Sequence, residues 1–451
     1  MARKVFISFL GTTNYYSSEY YRGNDFCSKE EKYVQIAALE YIQTIDGEWT
    51  QDDIAYILLT EEAKKKNWVD NGHEDKNGNT LPNSGLESVL RSKGFPFACE
   101  THKIPEGKDE TEIWEIFKVI YSLIKNGDRL YFDITHGFRY LPMLIVVLGN
   151  YAKFLKKVKV KHIIYGNYEG RDKDNNNKYV TPAHSPLVDL QPFSTLQDWT
   201  YAVADFINNG NADRMFKLAD EELGPRFRQE RASSFRSLVL SIRDFAKDMQ
   251  TCRGKSIIEG DHIREVKKQL NDVYAILTNK NARVTIDELL IPVFERIQKT
   301  MENYNENGDV NNGFHAAKWC IEHRLYQQAV TILQESVKNY FLFKLCNLNM
   351  ISDRDIIEEC LYVAKDKNII SGADLMKNLI NKKLLSEKNL PQDYVTWMNM
   401  MKSIASDYGK LCTLRNDFNH FGCKNNPATP SKIEGNIKNL YASITKNLYI
   451  Q

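Results

Sequence analysis

The sequence predicts an α/β domain built on a parallel sheet, followed by an all-α region. Three observations predict this. Short apolar runs of strand length recur through the first ~195 residues, separated by stretches with helical spacing, which implies βαβ units. Beyond Pro192, long helical patterns dominate and proline becomes rare. The length of 451 residues predicts two or three domains, at about 100–200 residues per domain.

The elements follow in order. Lys4–Leu10 is an apolar run that ends at Gly11, the form of a buried strand. A helical pattern covers 33–42, and Ile54–Leu59 reads as a second strand. In 111–125 the apolar residues fall at 113, 116, 117, 120, 123 and 124, which is helix spacing. A strand at 130–134, a helix beginning near Pro142 and a strand at 161–166 complete the pattern. Two polar, Gly/Asn-rich stretches, 67–85 and 169–186, read as a loop insertion and as a hairpin or excursion. Further helices are expected near 313–346, 352–365, 371–385, 391–421 and 431–449. The chain therefore divides into an α/β domain (1–195), a helical connector (196–300) and a compact all-α domain (301–451).

Composition bounds the function. With 60 Lys+Arg against 59 Asp+Glu the net charge is +1, which argues against a surface that coats nucleic acid; any such chemistry must be local. A content of 42% hydrophobic and 26% charged residues is that of a globular protein and excludes disorder, collagen or a membrane bundle. The eight cysteines (27, 99, 252, 320, 346, 360, 412, 423) contain no CxxC pair, so neither a metal site nor a thioredoxin-like motif is expected. Several lie in apolar helical patterns, such as Cys346 beside Leu345, and read as buried free thiols. The N-terminal apolar run reaches Gly11 too soon for a signal sequence. The longest apolar stretch, 141–148, falls short of the roughly 20 residues that span a membrane. A cytoplasmic protein without membrane contact is expected.

Two segments carry candidate chemistry. In an open parallel α/β sheet, ligands bind beyond the carboxyl ends of the strands. Gly11-Thr12-Thr13-Asn14-Tyr15 follows the first strand, and Asp133-Ile134-Thr135-His136-Gly137-Phe138-Arg139 leads from a strand into a helix. Gly11, Thr12, Thr13, Asn14, Thr135, His136, Gly137 and Arg139 are the candidate ligand-binding residues. They offer hydroxyls, close backbone approach, N–H groups and a guanidinium, which suits a phosphate-bearing ligand. Neither GxGxxG nor GxxxxGK[ST] is present, so dinucleotide cofactors and a P-loop are disfavoured and no cofactor is expected. A Thr-His-Gly turn also serves as a plain capped helix start, and from the residues alone the two readings stand level.

The second segment is Arg415-Asn416-Asp417-Phe418-Asn419-His420. The apolar period Trp397, Met401, Ile404, Tyr408, Leu411, Leu414, Phe418, Phe421 runs through it and predicts a helix. At about 100° per residue, with Arg415 at zero, Asn419 falls near 40°, Asn416 near 100° and His420 near 140°. Leu411, Leu414, Phe418 and Phe421 take the opposite side as core. The polar arc suits metal-free RNA cleavage. His420 shuttles protons, Arg415 stabilises phosphorane charge, and Asn416 and Asn419 orient the His ring or the ribose-phosphate. An Arg followed by a His after four to six residues is a weak pattern, since Arg129 and His136 also match it, and by itself it fits a solvated helix face.

The two segments together resemble one family, the type III CRISPR-associated proteins that join a CARF sensor domain to a HEPN ribonuclease domain. The resemblance is to the branch with an Asp-x-Thr-His-Gly signature, here Asp133-Ile134-Thr135-His136-Gly137. Val5-Phe6-Ile7-Ser8-Phe9-Leu10-Gly11-Thr12, Thr60-Glu61-Glu62-Ala63-Lys64 and Tyr165-Gly166-Asn167-Tyr168-Glu169 also look like that branch's motifs. Trp319, Gln328-Ala329 and Glu335 sit where its HEPN domains carry a Trp/Gln-Ala/Glu helix, and Arg415 and His420 match the Arg-x4-His signature.

The resemblance implies a Rossmann-like CARF domain, a helical connector and an all-α HEPN domain. It implies cyclic oligoadenylate as allosteric activator, cyclic tetra-adenylate favoured over hexa-adenylate, and single-stranded RNA as the substrate of a metal-independent endoribonuclease. The resemblance also implies a homodimer or higher even-numbered oligomer, and symmetry gives the physical reason, because a cyclic oligonucleotide can share a two-fold axis. Two alternatives remain open. One is a non-catalytic sensor or scaffold that signals by dimerisation. The other is a sensor that also degrades its own activator through Thr12, Thr135 or His136.

Overall fold

Lys4–Leu10 (β1) is buried along its whole length, and the alternation of its side chains explains why. Val5, Ile7 and Phe9 enter the apolar core on one face of a sheet, while Phe6 and Leu10 enter the core on the other. A strand covered on both faces reads as a continuous apolar run, which is why the sequence reveals it.

In this computed structural model the described residues are 2–223, 230–277, 291–345, 354–385, 392–423 and 426–450. The expected thiol Cys346 and the first residues of the helix expected at 352–365 lie outside them. The chain forms two compact units, Met1–Thr195 and Leu196–Gln451.

In the first unit a hairpin, β2 (Ser18–Arg22) and β3 (Phe26–Glu31), precedes α1 (Val34–Ile45) and β4 (Ile54–Leu59). Next come a short helix α2 (Glu61–Ala63), capped by the Thr60 side chain, and a π turn at Lys64–Trp68. The loop insertion expected at 67–85 contains a small hairpin, β5 (His73–Glu74) with β6 (Thr80–Leu81). There follow α3 (Leu86–Lys93), β7 (Ala98–Lys103), α4 (Glu110–Leu123), β8 (Arg129–Asp133), α5 (Leu141–Lys156), β9 (Lys159–Gly166) and β10 (His184–Asp189). The Asp109 side chain caps α4 by accepting the Glu112 N–H at 2.9 Å.

The strands form one eight-stranded sheet in the order β3-β2-β10-β9-β8-β1-β4-β7. From β9 to β7 every pairing is parallel, as expected. The rest corrects the parallel expectation. β10 runs antiparallel to β9, and the β2–β3 hairpin extends the sheet through a parallel pairing of β2 with β10. The physical reason lies between Gly166 and His184, where a single 3₁₀ turn at Tyr168–Gly170 replaces the helix that a parallel crossover requires.

The second unit is helical. Its elements are α6 (Gln191–Asn209, which begins in the first unit), α7 (Asp213–Leu223), α8 (Glu230–Gln250), α9 (Gly254–Glu259) and α10 (Asp261–Leu277). They continue with α11 (Ile291–Met301), α12 (Asn312–Glu322), α13 (Tyr326–Leu345), α14 (Arg354–Ala364), α15 (Gly372–Asn381), α16 (Tyr394–Asn419) and α17 (Pro430–Asn447). One apolar core runs from Trp199 to Leu448. Phe245 of α8 packs edge-on against Tyr304 and Trp319, and Phe235 against Phe294. The connector expected at 196–300 and the domain expected from 301 therefore share one body.

Two helix expectations are corrected. The helix expected over 313–346 is broken between α12 and α13, where Arg324 adopts φ +60°. The helix expected to continue to 421 ends at Asn419. There the Gly422 N–H reaches back to Asp417 O and the Phe421 N–H to Phe418 O, the pattern of a Schellman stop. Phe421, expected in the core, is 92% exposed with φ +55°. Among the described residues no helix is long and apolar enough to cross a membrane.

Candidate functional site

The loops at the carboxyl ends of β1 and β8 face a cavity of about 260 Å³, which also takes in Leu58 and Thr60 at the end of β4 and Ile104 after β7. Five of the eight expected ligand residues line it: Gly11, Thr12, Thr13, His136 and Gly137.

Tyr15 joins the two loops. Its Oη accepts the Gly11 N–H at 2.7 Å, and its ring lies on the His136 imidazole with centroids 3.9 Å apart and planes 20° off parallel. A Cβ on Gly11 would stand 2.7 Å from that same hydroxyl, so the glycine is what lets the ring close over the loop. A Cβ on Gly137 would meet Leu141 at 2.8 Å, so this glycine sets the close approach of the turn to α5.

Beneath the turn, the buried Asp133 accepts from Ser8 Oγ at 2.6 Å and from both the backbone N–H and Oγ1 of Thr135. Burial nevertheless pushes its carboxyl above the usual range. Thr135 Oγ1 in turn accepts the Gly166 N–H at 2.8 Å. Asp133 and Thr135 thus tie β1, β8 and β9 together, and Thr135 does not line the cavity. Asn14 is exposed and accepts from Lys32 Nζ at 3.0 Å, and Arg139 is exposed outside the lining.

Burial pushes His136 down to about 4, so it is a neutral imidazole at neutral pH. Its buried Nε2 has no hydrogen-bond partner among the described residues. The lining therefore includes an uncharged imidazole with a buried, unpartnered nitrogen, together with Thr12 and Thr13.

Sequence spacing gives no role to Asn67, yet this fully buried amide holds the first loop in place. Its Nδ2 donates to Gly11 O at 3.0 Å and Thr13 O at 2.8 Å, while its Oδ1 meets His73 Nε2 at 3.0 Å. The available signal is its position directly after the 60–64 motif.

In the second unit, Arg415, Asn416 and Asn419 occupy the last turns of α16, and His420 is its C-cap. Asn416, Asn419 and His420 are exposed, whereas Arg415 is half-buried with Nη1 donating to Gln334 Oε1 of α13 at 3.3 Å. The buried Asp417 accepts the Ala428 N–H at 3.0 Å and so fastens the chain that follows the helix. Leu411 and Leu414 are buried on the opposite face, as the periodicity predicts. Glu335 follows the Arg415 partner Gln334 on α13, and Trp319 lies on α12. Glu335 is paired with Lys338 and Arg354, and Trp319 is buried against His323.

Among the described residues, one group of metal-type side chains converges. Glu19, Cys27 and His184 place their ligand atoms within 4.8 Å of one another at the hairpin edge of the sheet.

Residues 5–169 match the family described as CRISPR system endoribonuclease Csx1, CARF domain, a span that contains both cavity loops. A relative, the CRISPR-associated protein MJ1674 of Methanocaldococcus jannaschii, is 24% identical over 293 residues. That match covers 63% of this chain and 41% of the relative, so the chain spans less than half of that protein's length.

Proposed function

We infer, from the CARF-domain match of residues 5–169 and the likeness to a CRISPR-associated relative, that this chain is a ribonuclease switched on by cyclic oligoadenylate. CARF domains bind this class of ligand, and the first-unit cavity has the groups for it. Backbone N–H groups and threonine hydroxyls suit phosphate, and the stacked Tyr15–His136 pair suits a base. Cyclic tetra-adenylate is the ring size proposed, shared across the two-fold axis of a homodimer. An exposed apolar row on α5, formed by Met143, Val147, Tyr151 and Phe154, supports association of two copies.

The observation that carries the nuclease reading is the end of α16. There a guanidinium held by Gln334 shares a helix terminus with two exposed amides and an exposed imidazole. In the proposed reaction the ribose 2′-oxygen attacks its own phosphorus and loses its proton, while the 5′-oxygen leaves and gains one. The products carry 2′,3′-cyclic phosphate and 5′-hydroxyl ends. His420 moves protons, Arg415 stabilises the phosphorane oxygens, and Asn416 and Asn419 hold the ribose-phosphate. No metal takes part in this chemistry. Two chains together supply two Arg415/His420 pairs, so ligand-dependent pairing is the proposed switch.

The test is cleavage of a fluorescent single-stranded RNA with cyclic tetra- and hexa-adenylate added separately, with and without EDTA. Expected are activity with the tetramer, indifference to EDTA and loss in His420→Ala with ligand binding intact. Full activity in His420→Ala would sink the catalytic assignment.

A purely sensing role is the second reading, resting on the CARF-domain match at residues 5–169. It is distinguished by ligand binding without cleavage of any RNA. Cleavage of the activator itself is favoured by the free His136 Nε2 and is tested with labelled ligand in His420→Ala protein. Thr135 is the weakest nucleophile for that reaction, since its hydroxyl is engaged by Asp133 and Gly166.

A further inference from the structure

Among the described residues of the second unit, three buried polar atoms without partners belong to the walls of one cavity. A cavity of about 450 Å³ opens between α6, α11 and α12, away from Arg415 and His420 in sequence and lined by none of the residues at the end of α16. Three of its wall residues are more than nine-tenths buried: Tyr304 at 4%, Trp319 at 3% and His323 at 7% exposure. Each presents a buried atom without a hydrogen-bond partner among the described residues, namely Tyr304 Oη, Trp319 Nε1 and His323 Nε2.

The chemistry of these atoms is fixed. Trp319 Nε1 can only donate. Burial holds the Tyr304 phenol well above its usual range, so it too remains a donor. His323 Nδ1 donates to Trp319 O at 2.7 Å, a carbonyl that can only accept, and this fixes the ring with Nε2 free. The Trp319 and His323 rings stack at 3.9 Å, which holds both atoms in position.

The mouth is basic. Arg296, Lys299 and Lys318 line it and are exposed, against the single carboxylate of Glu322. None of the three cations has an ion pair among the described residues. Buried polar groups are normally satisfied, and three unmet ones on wall residues of one cavity with a cationic rim point to a ligand with matching groups.

We propose that this cavity binds a small phosphate ester of nucleotide size. Its phosphate sits against Arg296, Lys299 and Lys318, its oxygens accept from Tyr304 and Trp319, and a hydroxyl or amine of the ester donates to His323 Nε2. The volume falls in the range of small-molecule sites. Nothing in this assignment depends on the nuclease or sensor roles of the other two sites.

The test is calorimetric titration of the full chain with ribose 5-phosphate, uridine 5′-monophosphate and inorganic phosphate. Saturable binding of at least one ester is expected, tighter than inorganic phosphate. The Lys299→Glu/Lys318→Glu double variant should weaken it at least tenfold, and Tyr304→Phe, which removes one oxygen, several-fold. Circular dichroism checks that both variants are folded. If neither ester binds at millimolar concentration, the cavity holds only water and the proposal fails. Binding that persists in the folded double variant, or that cyclic tetra-adenylate displaces, also overturns it, because the ester then sits elsewhere. Inorganic phosphate binding as tightly as the esters removes the ester assignment.

Discussion

Arg415 donates from Nη1 to Gln334 Oε1 at 3.3 Å, a contact between two helices from positions 81 residues apart. The Gln334 amide is itself oriented, with Nε2 facing Tyr408 Oη at 3.4 Å and Cys412 Sγ at 3.5 Å. Gln334 is therefore a positioning residue for the guanidinium. Arg415→Ala and His420→Ala should each reduce activated RNA cleavage by about 100-fold or more, the usual weight of proton transfer or oxyanion stabilisation. Gln334→Ala should cost roughly tenfold in kcat with KM little changed, since it releases the guanidinium without removing it. Initial rates on a fluorescent RNA at saturating cyclic tetra-adenylate check this. Equal rates for Gln334→Ala and wild type would show that Arg415 needs no anchor.

Asn67 satisfies two backbone carbonyls of the first loop from a fully buried position. Asn67→Ala leaves Gly11 O and Thr13 O without that donor and should destabilise the protein by about 2 kcal/mol. Affinity for cyclic tetra-adenylate should fall with it. Urea midpoints and ligand titrations report the two effects separately, and an unchanged midpoint would refute the structural role.

The pH dependence of His136 has a definite sign. An unfolded imidazole titrates near about 6.5, whereas the folded one titrates near about 4. Between these values the unfolded chain binds more protons, so stability rises with pH across that window. On acidification from about 6.5 to 4 the loss from this group reaches at most about 3 kcal/mol and then levels off. His136→Phe keeps a ring beside Tyr15 without a titrating group and should flatten this part of the profile. Urea midpoints taken across the window decide it, and parallel profiles for the two proteins would be incompatible with a buried neutral histidine.

Legibility in the sequence followed burial. β1 and β4 are apolar on both faces and announce themselves. β7 is an edge strand with sequence ACETHK, largely exposed, so neither periodicity nor hydropathy marks it. β3, at the other edge, is polar for the same reason, while β2 and β10 mix buried and half-buried positions without an apolar run. At the first site, glycine and hydroxyl chemistry located the two loops. Their fastening by Asn67 and Tyr15 depends on tertiary contacts that no local pattern encodes. Thr135 shows the converse, since a hydroxyl in a ligand-like motif serves the scaffold. At α16 the apolar period carried the reading to Asn419, then failed at Phe421 because the period cannot register a Schellman stop.

Phe421 sits at the left-handed position of that stop, where an L residue other than glycine costs about 1 kcal/mol. Being 92% exposed, its side chain recovers almost nothing from packing. Phe421→Gly should therefore raise stability by about 1 kcal/mol in urea unfolding. A loss of stability would mean that the ring contributes contacts beyond the isolated chain.

The apolar row of α5 should mediate self-association. Val147→Glu/Phe154→Glu introduces charge at 55% and 84% exposed positions, where the fold itself loses little. Light scattering should shift from dimer to monomer while the circular dichroism spectrum stays the same. A dimer that survives the double variant places the interface on another face.

Tyr15 engages the two cavity loops through different parts of one side chain, its hydroxyl on the Gly11 amide and its ring on His136. One side chain thus fastens both loops. A ligand that lifts this ring uncovers a backbone donor and a flat aromatic surface in the same motion. Phosphate requires the first and a purine the second. Under the proposed sensing role, Tyr15 thus links the recognition of a base to the recognition of a phosphate.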